Sequence, residues 1–89
     1  MSKLRNLPNI GEILESELAS SGLDMHDQLM AAGSLNAAVC LERHGFSVCR
    51  NKLYALEGAI RGVRWHSIPT QERFALWRSY QELKNNSSD

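Results

Sequence analysis

The sequence is poor in cysteine, in proline and in long runs of apolar residues. Its 89 residues include two cysteines, Cys40 and Cys49, and two prolines. Two cysteines are too few for the disulfide framework of a small secreted protein, so both thiols are expected to be reduced. No apolar run approaches the roughly 18 residues that cross a bilayer, and residues 1–5 lack the features of a signal peptide. We therefore expect a cytoplasmic protein that makes no membrane contact.

The sequence also lacks an excess of charge of either sign, because ten Lys and Arg residues balance ten Asp and Glu residues. No overall field therefore draws the chain to nucleic acid or to a membrane. The charges are unevenly distributed, however, with a balance of −3 over residues 1–40 (2 − 5) and of +4 over residues 41–84 (8 − 4). This distribution predicts either a bipolar surface or simply solvated helix faces.

Glycine and proline punctuate the chain at regular intervals, and the segments between them have helical rather than alternating periodicity. The expected helices cover residues 12–20, 25–32, 35–44, 50–61 and 69–84, with a short additional one at 2–6. The sequence thus predicts an all-α fold, a compact bundle of five or six short helices with a helix-hairpin-helix-like N-terminal part. Residues 1–84 form a single domain in this interpretation, and residues 85–89 a disordered tail.

Two apolar stripes at helical spacing are expected to face the core. On the first long helix the stripe contains Ile10, Ile13, Leu14 and Leu18. On the last helix it contains Phe74, Leu76, Trp77, Tyr80 and Leu83.

The turn Leu7-Pro8-Asn9-Ile10-Gly11 is typical of helix-hairpin-helix modules, in which a glycine lets the backbone approach a phosphate. Asn9, Ile10 and Gly11 are therefore candidate nucleic-acid-binding residues. Glu12 and Glu15 follow the glycine where such modules usually carry lysine or arginine, and their charges repel phosphate. A purely structural turn is the alternative.

A set of basic residues lies in the second half of the chain, with Trp65 beside it. The candidates for binding nucleic acid or an acidic protein surface are Arg50, Lys52, Arg61 and Arg64. Arg50 and Arg61 are about three helical turns apart and so share roughly one face. A solvated helix face is the alternative interpretation.

Gly58 and Gly62 stand four residues apart, and glycine within a helix costs roughly 1 kcal/mol relative to alanine. Such a pair indicates close approach of another backbone. That backbone belongs either to the same domain or to a second copy, in which case Gly58, Gly62 and Trp65 would form an interface.

Cys40, His44, Cys49 and His66 are the candidates for a metal or nucleophile site. Their spacings match no zinc-finger pattern, and Cys40 follows small apolar residues that suit a buried thiol. No carboxylate or oxyanion hole supports a Cys–His nucleophile pair. We expect no metal, no cofactor and no enzymatic activity.

Two stretches of the sequence resemble a known family. The first is Leu4-Arg5-Asn6-Leu7-Pro8-Asn9-Ile10-Gly11, followed by Leu14, Leu18 and Gly22. The second is Leu53-Tyr54-Ala55-Leu56-Glu57-Gly58-Ala59-Ile60-Arg61-Gly62, followed by Trp65 and Ile68-Pro69. Over residues 3–84 the chain is similar to the C-terminal domain of TfoX (Sxy), a bacterial regulator of competence for DNA uptake.

The resemblance implies an all-helical fold of helix-hairpin-helix character, a bacterial cytoplasmic setting and no established catalytic residues. In the family this domain usually follows an N-terminal α/β domain. We expect this chain to be a stand-alone copy of the C-terminal domain, so the role of the whole regulator would not transfer to it intact.

The resulting hypothesis is a non-enzymatic protein-interaction or regulatory module, linked to control of transcription or DNA uptake. Its partner is another protein or, as a homodimer, a second copy. The alternative is a nucleic-acid-binding module that uses the Pro8–Gly11 hairpin or the face of Arg50, Arg61 and Arg64.

Overall fold

The structure, a computed structural model, describes residues 4, 7–23 and 25–86. Within these residues it contains no strand and four α-helices: α1 (Glu12–Ser20), α2 (His26–Arg43), α3 (Arg50–Arg61) and α4 (Thr70–Asn86). One turn of 3-10 helix, Trp65–Ser67, connects α3 to α4. The predicted all-α class is confirmed, and the bounds predicted for α1 and α3 match those observed.

Four α-helices are assigned in the described part of the chain, so the predicted count of five or six is not confirmed. The difference arises at Gly33, which was expected to separate two helices. Gly33 does interrupt the helix, with φ 80° and ψ 164°, and α2 consists of two helical segments that meet at this kink. The predicted helix at residues 2–6, which would be the first arm of a hairpin, lies outside the described residues except for Leu4.

The ends of α1, α2 and α3 share one geometry, in which glycine follows the helix in the left-handed region. The φ angles of Gly22, Gly45 and Gly62 are 84°, 91° and 77°. At the end of α3 the Val63 N–H donates to the Gly58 carbonyl at 2.9 Å, as in the Schellman motif. Gly58 therefore lies inside α3, whereas Gly62 ends it.

The core lies where α2 and α3 pack together, with α4 against both and α1 against α2. It is built mainly from fully buried leucines of α1, α2 and α3: Leu18, Leu29, Leu41, Leu53 and Leu56. Tyr80 is the most buried residue that α4 contributes, at 1% exposed. Burial of a leucine stabilises a fold by about 1.5–3 kcal/mol, so this cluster holds the helices in place.

Two residues expected in the core are exposed instead, since Ile13 is 77% and Phe74 60% accessible. Leu14 of α1 is buried, and its neighbour Ile13 projects about 100° away around the helix. Phe74 precedes the buried Tyr80 by six residues and lies about 120° around α4 from it. The buried faces of α1 and α4 are therefore narrower than the apolar stripes in the sequence predicted.

The end of the chain is helical for longer than expected, because α4 continues through Asn86. The remainder of the predicted tail, residues 87–89, lies outside the described residues. None of the described helices has the length and apolar character needed to span a bilayer.

Candidate interaction site

The turn before α1 is tied to the segment after α3 by the side chain of Asn9. This residue has a φ of 71°, a left-handed conformation that asparagine tolerates better than most residues. Its Nδ2 donates to the Val63 carbonyl at 2.9 Å, and its Oδ1 accepts from the Trp65 N–H at 3.2 Å. The nitrogen and the oxygen of the Asn9 side chain thus both bind backbone groups of a segment more than fifty residues away in the sequence.

Gly58 makes room for this contact. A Cβ at position 58 would lie 2.5 Å from the Asn9 Nδ2 and 2.7 Å from the Val63 carbonyl oxygen. We call Asn9, Gly58, Val63 and Trp65 the Asn9 joint. The two stretches that resemble the TfoX domain meet at this joint, so the close approach that Gly58 permits is made within the domain.

The other proposed interface residues also serve the fold. Gly62 ends α3, as described above. Trp65 is half-buried, and its ring stacks on His66 with centroids 3.8 Å apart. The Arg73 guanidinium lies 5.4 Å from the Trp65 ring centre. Residues 58, 62 and 65 are therefore accounted for by contacts within one chain, and their role between copies stays a prediction.

Of the three residues proposed at the hairpin, two are committed to internal contacts. Asn9 uses both polar atoms of its amide in the joint, and Ile10 is 5% exposed. Gly11 is exposed, and its carbonyl accepts the Glu15 N–H at 3.0 Å as α1 begins. The turn before α1 thus offers a helix N-terminus, followed by the two glutamates that the sequence places there.

Two of the proposed basic residues are paired with carboxylates. Lys52 lies 2.6 Å from Glu17 of α1, with both side chains about four-fifths buried. Arg61 donates to Glu57 at 2.7 Å and to Glu72 of α4 at 2.8 Å. These hydrogen bonds raise the pKa of Arg61 above its ordinary value, so its charge is held in a local network.

Glu57 is a participant in this network that sequence reasoning missed. Besides Arg61, its carboxylate accepts a hydrogen bond from the hydroxyl of Ser34, a buried residue of α2. The chain Ser34–Glu57–Arg61–Glu72 therefore connects α2, α3 and α4. The only signal in the sequence was the i,i+4 spacing of Glu57 and Arg61.

The remaining basic candidates, Arg50 and Arg64, do not converge. Arg50 is the first residue of α3 and Arg64 lies three residues beyond its last, so the length of the helix, about 18 Å, separates them. The Arg50 guanidinium is 5.8 Å from the Trp77 ring centre, in a shallow groove at the start of α3. Arg64 is exposed and makes no ion pair with a described carboxylate. The predicted basic face is thus divided into separate places.

A groove at the start of α1 is the second feature that the sequence did not predict. It measures about 460 Å³ and is lined by Gly11, Glu12, Ile13, Leu14, Glu17 and Lys52. Ile13 stands exposed on it, and the ion pair of Lys52 and Glu17 borders it. We call this the Ile13 groove. Its signal in the sequence was weak: the adjacent residues Ile13 and Leu14 project about 100° apart, so a narrow buried face holds only one of them.

A third exposed feature lies on the outer face of α4. Phe74 and Arg78 are four residues apart, so their side chains are neighbours on one face. Both are exposed, and Arg78 makes no ion pair with a described carboxylate. We call these two residues the Phe74 face.

The cysteine and histidine residues considered for metal binding are not gathered at one place. The Cys40 thiol donates to the Ser21 carbonyl at 3.2 Å, and the His44 Nδ1 lies 2.8 Å from the Cys40 carbonyl oxygen. Cys49 is exposed at the start of α3. Within the described residues, no group of three or more His, Cys, Asp or Glu side chains is placed to hold a metal ion.

Two solved structures are similar to this fold over nearly their whole length. A triclinic crystal structure of an uncharacterized protein from Listeria monocytogenes is 37% identical, with a TM-score of 0.85, and the match covers 93% of this chain and 94% of that one. A tetragonal form of a Listeria monocytogenes protein of unknown function is 38% identical, with a TM-score of 0.83, over 91% of this chain and 99% of that one. No curated protein matches the chain.

The family comparison covers both of the stretches that meet at the Asn9 joint. The TfoX C-terminal domain matches residues 1–80, which include the joint, the Ile13 groove and the Phe74 face. The chain belongs to the TfoX C-terminal domain family.

Proposed function

We propose that this domain is a non-enzymatic protein-interaction module that docks a protein partner at the Ile13 groove, in a regulatory role related to that of TfoX. The observation that carries the proposal is the 77% exposure of Ile13 beside this groove. Contiguous apolar surface in a concave site with a polar rim is typical of a docking site, and here Leu14 continues the apolar surface of Ile13 in the groove. Its removal from water supplies the driving force for association.

The charges around the groove define the partner further. Glu12 is exposed at its edge, whereas the Lys52 charge is neutralised by Glu17 at 2.6 Å. A partner that presents an apolar side chain together with a positive charge therefore complements the groove. Complementary charge favours encounter and correct orientation more than affinity.

The non-enzymatic part of the proposal is supported by where the perturbed groups lie. Catalytic acids and bases usually combine a shifted pKa with a position in a cleft. The described groups with shifted pKa values are Arg61, held between two carboxylates, and Tyr80, buried in the core. Neither lines the Ile13 groove, and Tyr80, which borders a different groove on α4, is only 1% exposed.

The test is whether a complex depends on Ile13. The purified domain and its Ile13→Asp variant would be used to capture partners from bacterial lysate, and the binding of each candidate would then be measured with purified proteins. We expect at least tenfold weaker binding for the variant. Ala31→Asp, which adds the same charge at an exposed site on α2, should leave binding unchanged. A complex equally stable with Ile13→Asp would contradict the proposed site.

A nucleic-acid-binding module is a second candidate, favoured by the position of Arg50 over Trp77. Arginine and an aromatic ring are the groups on which unpaired bases stack. Fluorescence anisotropy with single-stranded DNA and RNA at low salt would test this function. Binding that weakens with added salt and in the Arg50→Ala/Arg64→Ala variant would support it. No rise in the anisotropy of the nucleic acid when the protein is added at low salt would contradict it.

A further inference from the structure

We propose that the occupant of the Ile13 groove is the Phe74 face of a second copy of this chain. Phe74 of one copy enters the groove, and Arg78 lies opposite Glu12 of the other. This inference rests on the proposed function, because it names the partner for the same surface.

The Phe74 face has the two properties that the groove requires. Phe74 is a large apolar side chain that is 60% exposed, and Arg78 supplies a positive charge one turn further along α4. A cavity of about 150 Å³ accommodates benzene, so the groove of about 460 Å³ is large enough for a phenyl ring.

The charges of the two surfaces are complementary. Arg78 makes no ion pair with a described carboxylate, and Glu12 is an exposed carboxylate at the edge of the groove. Lys52 would repel an incoming arginine, but its charge is compensated by Glu17. The wider charge distribution agrees, since residues 1–40 carry −3 and residues 41–84 carry +4.

The contact joins two different surfaces, so it closes as a two-fold dimer when both contacts form within one pair and is heterologous otherwise. Each copy offers one Ile13 groove and one Phe74 face, and a head-to-tail contact of this kind generates a ring or an open chain. A contact built around two side chains per copy is small, and small interfaces are typical of weak, transient association. We therefore expect self-association that rises with protein concentration and falls with salt.

The decisive experiment is charge reversal followed by sedimentation velocity over a range of protein concentrations. Glu12→Arg and Arg78→Glu should each weaken self-association at least tenfold, because like charges then meet. The double variant Glu12→Arg/Arg78→Glu, and an equimolar mixture of the two single variants, should restore it. Arg43→Glu, which reverses another exposed arginine that lacks a described partner, is the matched control and should have no effect.

The outcomes separate this inference from the function on which it rests. A wild-type chain that stays monomeric, while a different protein binds in an Ile13-dependent manner, overturns the second copy as occupant and leaves the proposed function standing. A monomer with no Ile13-dependent complex overturns both. Association that survives both single reversals, or that the double variant does not restore, contradicts the pairing of Glu12 with Arg78.

Discussion

Asn9 of the joint and Ile13 of the groove are four residues apart in the sequence, but the two regions differ in how tightly their side chains are held. In the joint, every polar atom of the Asn9 amide group is engaged and Gly58 leaves no space for a Cβ. In the groove, Ile13 has most of its surface in water. The stretches that resemble the family converge on the joint, so the motif marks an element of the fold, whereas the surface available to a partner carries no motif.

The physical demands of the two regions explain this contrast. A side chain that must donate to one backbone group and accept from another has to be an amide, and a helix face touched by backbone has to be glycine. Such requirements leave recognisable residue types in a sequence. A docking groove requires only an apolar side chain that happens to point outward, and in a sequence such a residue resembles a core residue.

Within the joint, a large effect is expected from Gly58→Ala, which should destabilise it. Alanine is normally about 1 kcal/mol better than glycine inside a helix, but here its Cβ would lie 2.7 Å from the Val63 carbonyl oxygen. Overpacking costs typically 1–3 kcal/mol, and the upper end is expected against backbone, which cannot move aside as a side chain can. After the gain of about 1 kcal/mol is subtracted, we expect unfolding in urea to show a loss of about 2 kcal/mol. Ser79→Ala, at an exposed site of α4, is the control and should be neutral or stabilising. A stabilised Gly58→Ala variant would show that the joint is not closely packed.

Substitution of Asn9 should have an effect of similar size, and two variants separate its two causes. Asn9→Ala removes both hydrogen bonds and places a Cβ residue at φ 71°, which should cost about 2 kcal/mol in total. Asn9→Gly removes the same hydrogen bonds without the strain and should cost about half as much. Equal losses in the two variants, measured by urea unfolding, would mean that the left-handed conformation contributes nothing.

The two substitutions are also expected to be coupled. In an Asn9→Gly background the amide that crowds position 58 is gone, so Gly58→Ala should cost less than it does in the wild type. A double-mutant cycle should therefore give a coupling of about 1 kcal/mol. Strict additivity would show that Gly58 is required by the Val63 backbone alone.

Tyr80 lies on the buried side of α4, whereas Phe74 lies on its exposed side, and the burial of Tyr80 can be tested through its pKa. Burial raises the pKa of the Tyr80 phenol above its ordinary value of 10, and the nearby Glu42 carboxylate raises it further. The folded state thus holds this proton more tightly than the unfolded state, so stability should fall as the pH rises above 10. The fall attributable to Tyr80 should be about 1 kcal/mol at pH 11.

Tyr80→Phe should abolish that part of the pH dependence. At neutral pH it should cost little, since the hydroxyl makes no hydrogen bond with a described residue and its removal leaves no polar group unpaired. Urea unfolding at pH 7, 9 and 11 would measure both effects. Equal slopes above pH 10 for the wild type and the variant would contradict the assignment to Tyr80.

The sequence was sufficient for the features that depend on local chemistry. Glycine after an apolar segment predicted the ends of α1 and α3, because only the residue type at the stop matters there. Gly58 also indicated a close backbone contact. Its partner could not be predicted, because Asn9 lies 49 residues away and only the packing of the helices brings them together.

The candidate site was harder to foresee for a different reason. Lys52 and Arg61 look like free charges in a sequence, but glutamates from other helices neutralise them. Ile13 and Phe74 looked like core residues, because an apolar stripe does not show where the buried face of a helix ends. Both errors come from tertiary contacts that no local pattern records.

The smallest effect on stability is expected at the groove, where Ile13→Ser should change the free energy of unfolding by less than about 0.5 kcal/mol. Most of the Ile13 side chain is already in water, so folding gains little from it. Leu14→Ala, one residue away but buried, should cost about 2–3 kcal/mol. If Ile13→Ser preserves stability in urea yet weakens association, the groove contributes to binding and not to the fold. A loss comparable to that of Leu14→Ala would instead place Ile13 in the core and remove the contrast between the joint and the groove.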